Sequence, residues 1–180
     1  MYQELERITE ERAGLVQERR MLQIEQMLDR EINCQTGKDT AVRSLFKYWH
    51  AMCHDGRPPL VDEFNPKARL DPKDARWISW VDVTQENPFN FILYDHPGVL
   101  FGNFSQTALL HHPFKLHAAR CAFEYEFCKR IQQPTYHEIT QTVGHCHRSY
   151  VRLLLPAIDR LGNVQKLFYA TRYVTDPVAV

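Results

Sequence analysis

The chain has no run of about 20 consecutive apolar residues, so no membrane-crossing helix is expected. Its start, Met1-Tyr2-Gln3-Glu4-Leu5-Glu6-Arg7, lacks the apolar core of a secretory signal. Charge excess of either sign is also missing. Lys+Arg and Asp+Glu each number 22, which leaves no long-range attraction toward phosphate backbones or anionic lipid. Neither a nucleic-acid nor a membrane partner is therefore expected. The five cysteines are odd in number and contain no C-x-x-C pair, which argues against a disulfide framework and for reduced thiols in a cytoplasmic setting. Also missing are an H-E-x-x-H helix, a phosphate-binding glycine loop, a G-x-S-x-G elbow and a dinucleotide glycine fingerprint, so an enzyme is not expected. There is no internal repeat and no low-complexity tract. No kinase, cyclase or DNA-binding segment is expected after Val180, and any output is expected to run through the domain itself or its leading segment.

What the chain does have is enough apolar material, 44% of 180 residues, for one compact domain with an appendage. Residues 2–33 contain no proline and are dense in Glu, Arg, Gln and Leu, which predicts a long helix. Leu5, Ile8, Leu15 and Leu22 form a partial seven-residue seam, broken where Arg12 and Arg19 fall at positions that should be apolar. Such a leader over residues 1–35 would extend about 45 Å and would carry a homodimer contact. After the break at Thr36-Gly37-Lys38-Asp39, a second helix carries Leu45, Phe46, Trp49 and Met52. Residues 60–73 hold Pro66 and Pro72 and read as surface turns. The stretches 76–83 and 89–94 read as a hairpin. Leu116, Ala119, Phe123, Phe127 and Ile131 recur at helical spacing and predict a core helix. A strand over 136–143 follows, then a terminal hairpin from Tyr150 to Tyr173, in which Gly162 and Asn163 supply the positive dihedrals of the turn.

Two strands, a helical segment and three further antiparallel strands is the element order of a PAS domain, and local residues sharpen the comparison. The chain resembles the compact proteobacterial PAS-like family in Tyr48-Trp49, in the stop Gly56-Arg57-Pro58-Pro59, and in the segment from Asp62 to Pro66. Tyr150, Arg152, Leu155-Pro156 and Gly162 extend the likeness, which spans roughly residues 40–175. The resemblance implies an α+β fold: a PAS-like five-stranded antiparallel sheet with helices on one face, over residues 36–176, preceded by the long N-terminal helix and followed by a tail at 177–180. It also implies a pocket beneath the helices. The expected function is a stand-alone sensory or regulatory module that binds a small molecule or a protein partner and signals through its N-terminal helix or dimer interface. One alternative is a haem or metal sensor, and another is a structural adaptor without a ligand.

Several residues could carry such binding. His111, His112 and His117 lie around Pro113, and neutral imidazole ligates haem iron or other metals. By resemblance, haem-binding PAS domains use a histidine in this part of the fold; ordinary hydrogen-bonded or surface histidines are the competing reading. Arg152 interrupts an apolar strand. Facing a pocket it would grip a carboxylate or phosphate, and facing outward it would pair with Glu138 or another cross-strand carboxylate. Phe91, Tyr94, Phe101, Phe168 and Tyr169 either line an aromatic cavity or fill the core. Cys121 and Cys128 are seven apart on one helix and are either packed thiols or redox-active ones. The expected ligand contacts are thus Phe91, Tyr94, Phe101, His117, Arg152, Phe168 and Tyr169, with His111 and His112 as metal ligands in the alternative reading.

Overall fold

The computed structural model describes residues 6–10, 15–27, 40–95, 106–143, 146–174 and 178–179, with side chains placed at 16–27, 40–95, 106–142 and 147–174. Its strands are β1 (Glu6–Glu10), β2 (Leu15–Leu22), β3 (Ile78–Asp82), β4 (Ile92–Tyr94), β5 (Thr107–Ala108), β6 (Thr135–Val143), β7 (Cys146–Ile158), β8 (Val164–Tyr173) and β9 (Val178–Ala179). Its helices are α1 (Ala41–Met52), α2 (Pro66–Arg69), α3 (Pro72–Ala75) and α4 (Lys115–Ile131), besides a helical turn at 24–27. The strands form one antiparallel sheet in the order β1-β2-β6-β7-β8-β3-β4-β5, with β9 paired to β7.

Strand β7 organises the sheet. It has neighbours on both edges and buried side chains at every position from Val151 to Ile158. Such a run, apolar on both parities, is what a strand covered on both faces requires. Val151, Leu153, Leu155 and Ala157 pack with Leu45, Phe46 and Trp49 of α1 on one face. Leu154 and Ile158 pack with Cys121, Ala122, Tyr125 and Cys128 of α4 on the other. The sheet therefore carries helices on both faces rather than on one. Pro156 is tolerated in so central a strand because β6 begins with Thr135 opposite Leu154, so Pro156 lies past the end of that neighbour. Its carbonyl accepts a hydrogen bond from Trp49 Nε1 at 2.7 Å, fixing α1 to the sheet.

The α1 face, the β3–β4 hairpin and the terminal hairpin match the sequence expectation. Trp80 lies opposite Tyr94, with the rings stacked 3.8 Å apart. In the β7–β8 turn Asp159 Oδ1 accepts from the Leu161 and Asn163 amides, and Gly162 takes φ 89°. Asn163 keeps a negative φ, so Gly162 alone supplies the left-handed dihedral there. The proline-punctuated segment is more ordered than surface turns: α2 and α3 each have proline at the first helical position and a capping Asn65 or Asp71 ahead of it.

Two expectations are corrected. The helix expected over residues 1–35 is replaced, at 6–10 and 15–22, by antiparallel strands, while 1–5, 11–14 and 28–35 lie outside the described residues. Helix propensity there is a weak local preference, and pairing of all eight β2 residues with β6 overrides it. The seam that suggested a coiled-coil homodimer goes with it. In α4 the expected core stripe points outward, with Leu116 43% and Phe123 62% exposed. The buried side is His117, Ala118, Cys121, Ala122, Glu124, Tyr125 and Cys128. This helix turns its polar residues inward because the sheet beneath is polar as well.

The turn geometry gives a direct expectation. Gly162→Ala places a Cβ in open space but at a left-handed dihedral, so the loss should be backbone strain alone, about 1–2 kcal/mol in urea unfolding.

Candidate functional site

Beneath α4, strands β2, β6 and β7 present a polar surface in place of a continuous apolar core. Period-two alternation aims Gln17 and Arg19 of β2, His137 and Gln141 of β6, and Arg148, Tyr150 and Arg152 of β7 to this side, and all are buried. The register sets them in rows, with Arg152 opposite His137 and Gln141 opposite Gln17. From above, helical spacing brings His117, Cys121 and Glu124 of α4 down onto them.

Glu124 is the hub. Arg19 Nη1 donates to its Oε1 at 2.7 Å, and Arg152 Nη2 donates to its Oε2 in a short charge-assisted contact. Arg19 is oriented by Gln17, whose Oε1 accepts from Nε at 2.8 Å. Its Nη2 lies 2.9 Å from His117 Nδ1. A guanidinium can only donate, so His117 Nδ1 is the acceptor and its proton resides on Nε2, 3.5 Å from Cys121 Sγ. Arg152 Nη1 also reaches Cys121 Sγ, at 3.5 Å, and the Tyr125 hydroxyl, at 3.3 Å. Two positive charges and one carboxylate thus meet in a region shut off from water.

The histidines here stay neutral. Burial, then the charge of Arg19, hold His137 down to about 3. Burial, followed by Arg19, Arg152 and Arg148, holds His117 well below the ordinary histidine value. Burial pushes the Tyr169 hydroxyl well above the ordinary tyrosine value, and the Cys128 thiol up to about 12 for the same reason. Two side-chain atoms in this region lack a partner among the described residues. They are Arg152 Nε and His137 Nδ1, on residues only 4% and 3% exposed.

Of the residues expected from sequence, Arg152 and Tyr169 lie on the sheet face under α4, and His117 faces them from α4 itself. Arg152 points inward, and its carboxylate is Glu124 on α4 rather than Glu138 on the neighbouring strand. Phe91 is fully buried in the apolar cluster on the same face, with Lys129 Nζ 5.1 Å from its ring centroid. Phe168 lies on the opposite face against Phe64, and Tyr94 is occupied by stacking on Trp80, so neither joins the polar cluster. Phe101 lies outside the described residues. His111 is exposed while His112 is buried beside His117, with ring centroids 4.8 Å apart and Nδ1 accepting from the Phe114 amide. Among the described residues no group of three or more His, Cys, Asp or Glu is arranged to hold a metal ion.

Sequence reading missed Gln17, Arg19, Glu124, His137 and Gln141. The available signals were the i, i+4, i+7 spacing of His117, Cys121 and Glu124, and the i, i+2, i+4 alternation of His137, Ile139 and Gln141. No family model, no curated protein and no solved structure matches the chain. No described helix is long and apolar enough to cross a membrane.

The ion cluster yields two expectations. Glu124→Gln leaves two buried guanidiniums without their carboxylate and should cost about 3–5 kcal/mol in urea unfolding. Glu126→Gln, two residues along the same helix in a half-exposed pair with Lys129, should change stability by less than about 1 kcal/mol. His117 and His137 make the fold acid-sensitive. Unfolded, each takes a proton near 6.5; folded, each stays neutral, so the unfolded state binds more protons as pH falls. Unfolding free energy should therefore decline below pH 6.5, by up to about 2.7 kcal/mol per pH unit for the pair, in urea titrations at successive pH values.

Proposed function

We propose that the chain is a PAS-like sensory or regulatory module that holds a small molecule with acceptor oxygens in the polar chamber beneath α4. The strand arrangement supports the PAS-like part. Strands β3 and β4, the helical segment ending in α4, and β6, β7 and β8 follow one another in the chain, and β8 returns to pair with β3. Those five strands are contiguous in one antiparallel sheet, as the resemblance implies, with β1 and β2 added beyond β6.

The observation that carries the binding reading is the pair of unpartnered atoms, Arg152 Nε and His137 Nδ1, within a region where the buried guanidiniums of Arg19, Arg148 and Arg152 outnumber the Glu124 carboxylate. A buried polar group without a partner costs about 1–3 kcal/mol. A small carboxylate or similarly oxygen-rich molecule supplies the acceptor and offsets the surplus positive charge. The neighbouring apolar wall of Leu154, Leu167 and Tyr169 offers contact for a short hydrocarbon portion. Signalling would then pass through α4, whose buried side bears on the chamber and whose outer side exposes Leu116 and Phe123.

The test is mass spectrometry of small molecules released when the purified chain is unfolded, with thermal-shift titration by a panel of small carboxylates. A released or stabilising carboxylate is expected, with binding weakened about tenfold or more by Arg152→Lys, which keeps the charge but loses the forked donors. Release of nothing, together with no stabilisation across the panel, would end this reading.

A further inference from the structure

We propose that Cys121 is a hydroperoxide-reactive thiolate, activated by Arg19, Arg152 and the Nε2–H of His117. The inference goes beyond ligand binding and does not require that the chamber hold any other molecule. Its basis is the set of groups around the sulfur. Arg152 Nη1 and His117 Nε2 each lie 3.5 Å from Sγ, and Arg19 Nη2 lies at 3.8 Å. The first and third belong to guanidiniums, which only donate, and the His117 tautomer fixed by Arg19 makes the second a donor too. A sulfur faced by three donors is placed as an acceptor, and the ionised sulfur is far the better one.

Charge leads to the same conclusion. The directly contacting groups are two guanidiniums and one carboxylate, and a thiolate closes that set to zero without importing an ion. Burial alone raises the thiol, but Arg152 and Arg19 outweigh it and bring Cys121 down to about 7. Two turns along the same helix, Cys128 lies among apolar neighbours with its Sγ donating to the Gln133 carbonyl, and burial pushes it to about 12. Cys53, on the other side of the sheet, is raised to about 11 by burial.

Arg152 supplies the independent indication of a reacting partner. The guanidinium that contacts the sulfur also keeps its Nε without an acceptor, on a residue 4% exposed, so an oxygen arriving at Cys121 finds a donor ready. Hydrogen peroxide, barely larger than water, is the hydroperoxide that demands least room beside a sulfur on a residue only 2% exposed. The thiolate attacks one peroxide oxygen; the S–O bond forms as the O–O bond breaks. The proton of the attacked oxygen passes to the departing one, which leaves as water. Sulfur is oxidised to sulfenate, and the peroxide is reduced. One negative charge is present before and after, so the sulfenate takes the place of the thiolate between the guanidiniums. The reaction is stoichiometric and fits a sensor rather than a catalyst.

The test treats the purified full chain with hydrogen peroxide, stops it at intervals, alkylates remaining thiols under denaturing conditions and maps the cysteine peptides by mass spectrometry. Cys121 is expected to gain oxygen at least ~100-fold faster than Cys128 and ahead of the more exposed Cys53, in keeping with their thiolate fractions. In urea, where the guanidiniums leave the sulfur, the preference should vanish. Cys121 remaining reduced while Cys53 oxidises would overturn the proposal. So would equal rates for Cys121 and Cys128, or a preference that persists in the unfolded chain.

Discussion

Glu124 joins a helix to three strands that are distant in sequence, because its two oxygens are divided between guanidiniums of β2 and β7 while β6 brings His137 to 4.0 Å. Removing three charges from water is costly, and their mutual attraction repays that only when each hydrogen bond is placed well. The cluster therefore acts as a registration device as much as a source of stability. A shift of β2 by one residue would turn Gln17 and Arg19 to the opposite face and strand the carboxylate. The same constraint fixes the rotation of α4, since only one setting of the helix lowers His117, Cys121 and Glu124 together.

The apolar part of the fold supports this arrangement. Strand β7 is covered by α1 on one face and α4 on the other, so Leu153 and Leu155 build one core while Leu154 belongs to the second. Arg152 lies directly before those leucines, between Val151 and Leu153. It is held in a strand that cannot slide without disturbing both cores, which is what a precisely aimed charged side chain needs. The second core is completed by Phe91, Leu109 and Tyr169, so the sheet face under α4 has a polar end on β2 and β6 and an apolar end on β8 and β3. The exposed Leu116 and Phe123 are the counterpart of this inward polarity: with His117 and Glu124 turned to the sheet, α4 leaves large apolar groups outside.

Much of the central fold was legible from residues. Trp49, Leu45 and Phe46 at helical spacing announced α1, the aromatic and β-branched runs announced β3 and β4, and Gly162 marked the terminal turn. Arg152 stood out as a charge in an apolar strand, and it is indeed a centre of the polar cluster. The reading failed where local preference and tertiary pairing disagree. The Glu- and Arg-rich stretch through β2 favours helix by composition, and only its pairing with β6 makes it a strand. In α4 the apolar stripe faces outward because hydrophobic periodicity marks the core only where the opposing surface is apolar, and the Arg19, His137 and Arg152 rows make it polar.

The sequence by itself determined the α+β class, the central helix and hairpins, and the presence of a charge, Arg152, within an apolar strand, because these follow from periodicities and turn chemistry contained within short segments; which way Arg152 faces was left open. The tertiary structure alone decided that Arg19, Glu124, His117 and Cys121 meet. Their separations along the chain run to about a hundred residues, and no local pattern encodes which buried charge will face which. Only strand register and helix rotation, fixed by the whole sheet, bring them within hydrogen-bond distance.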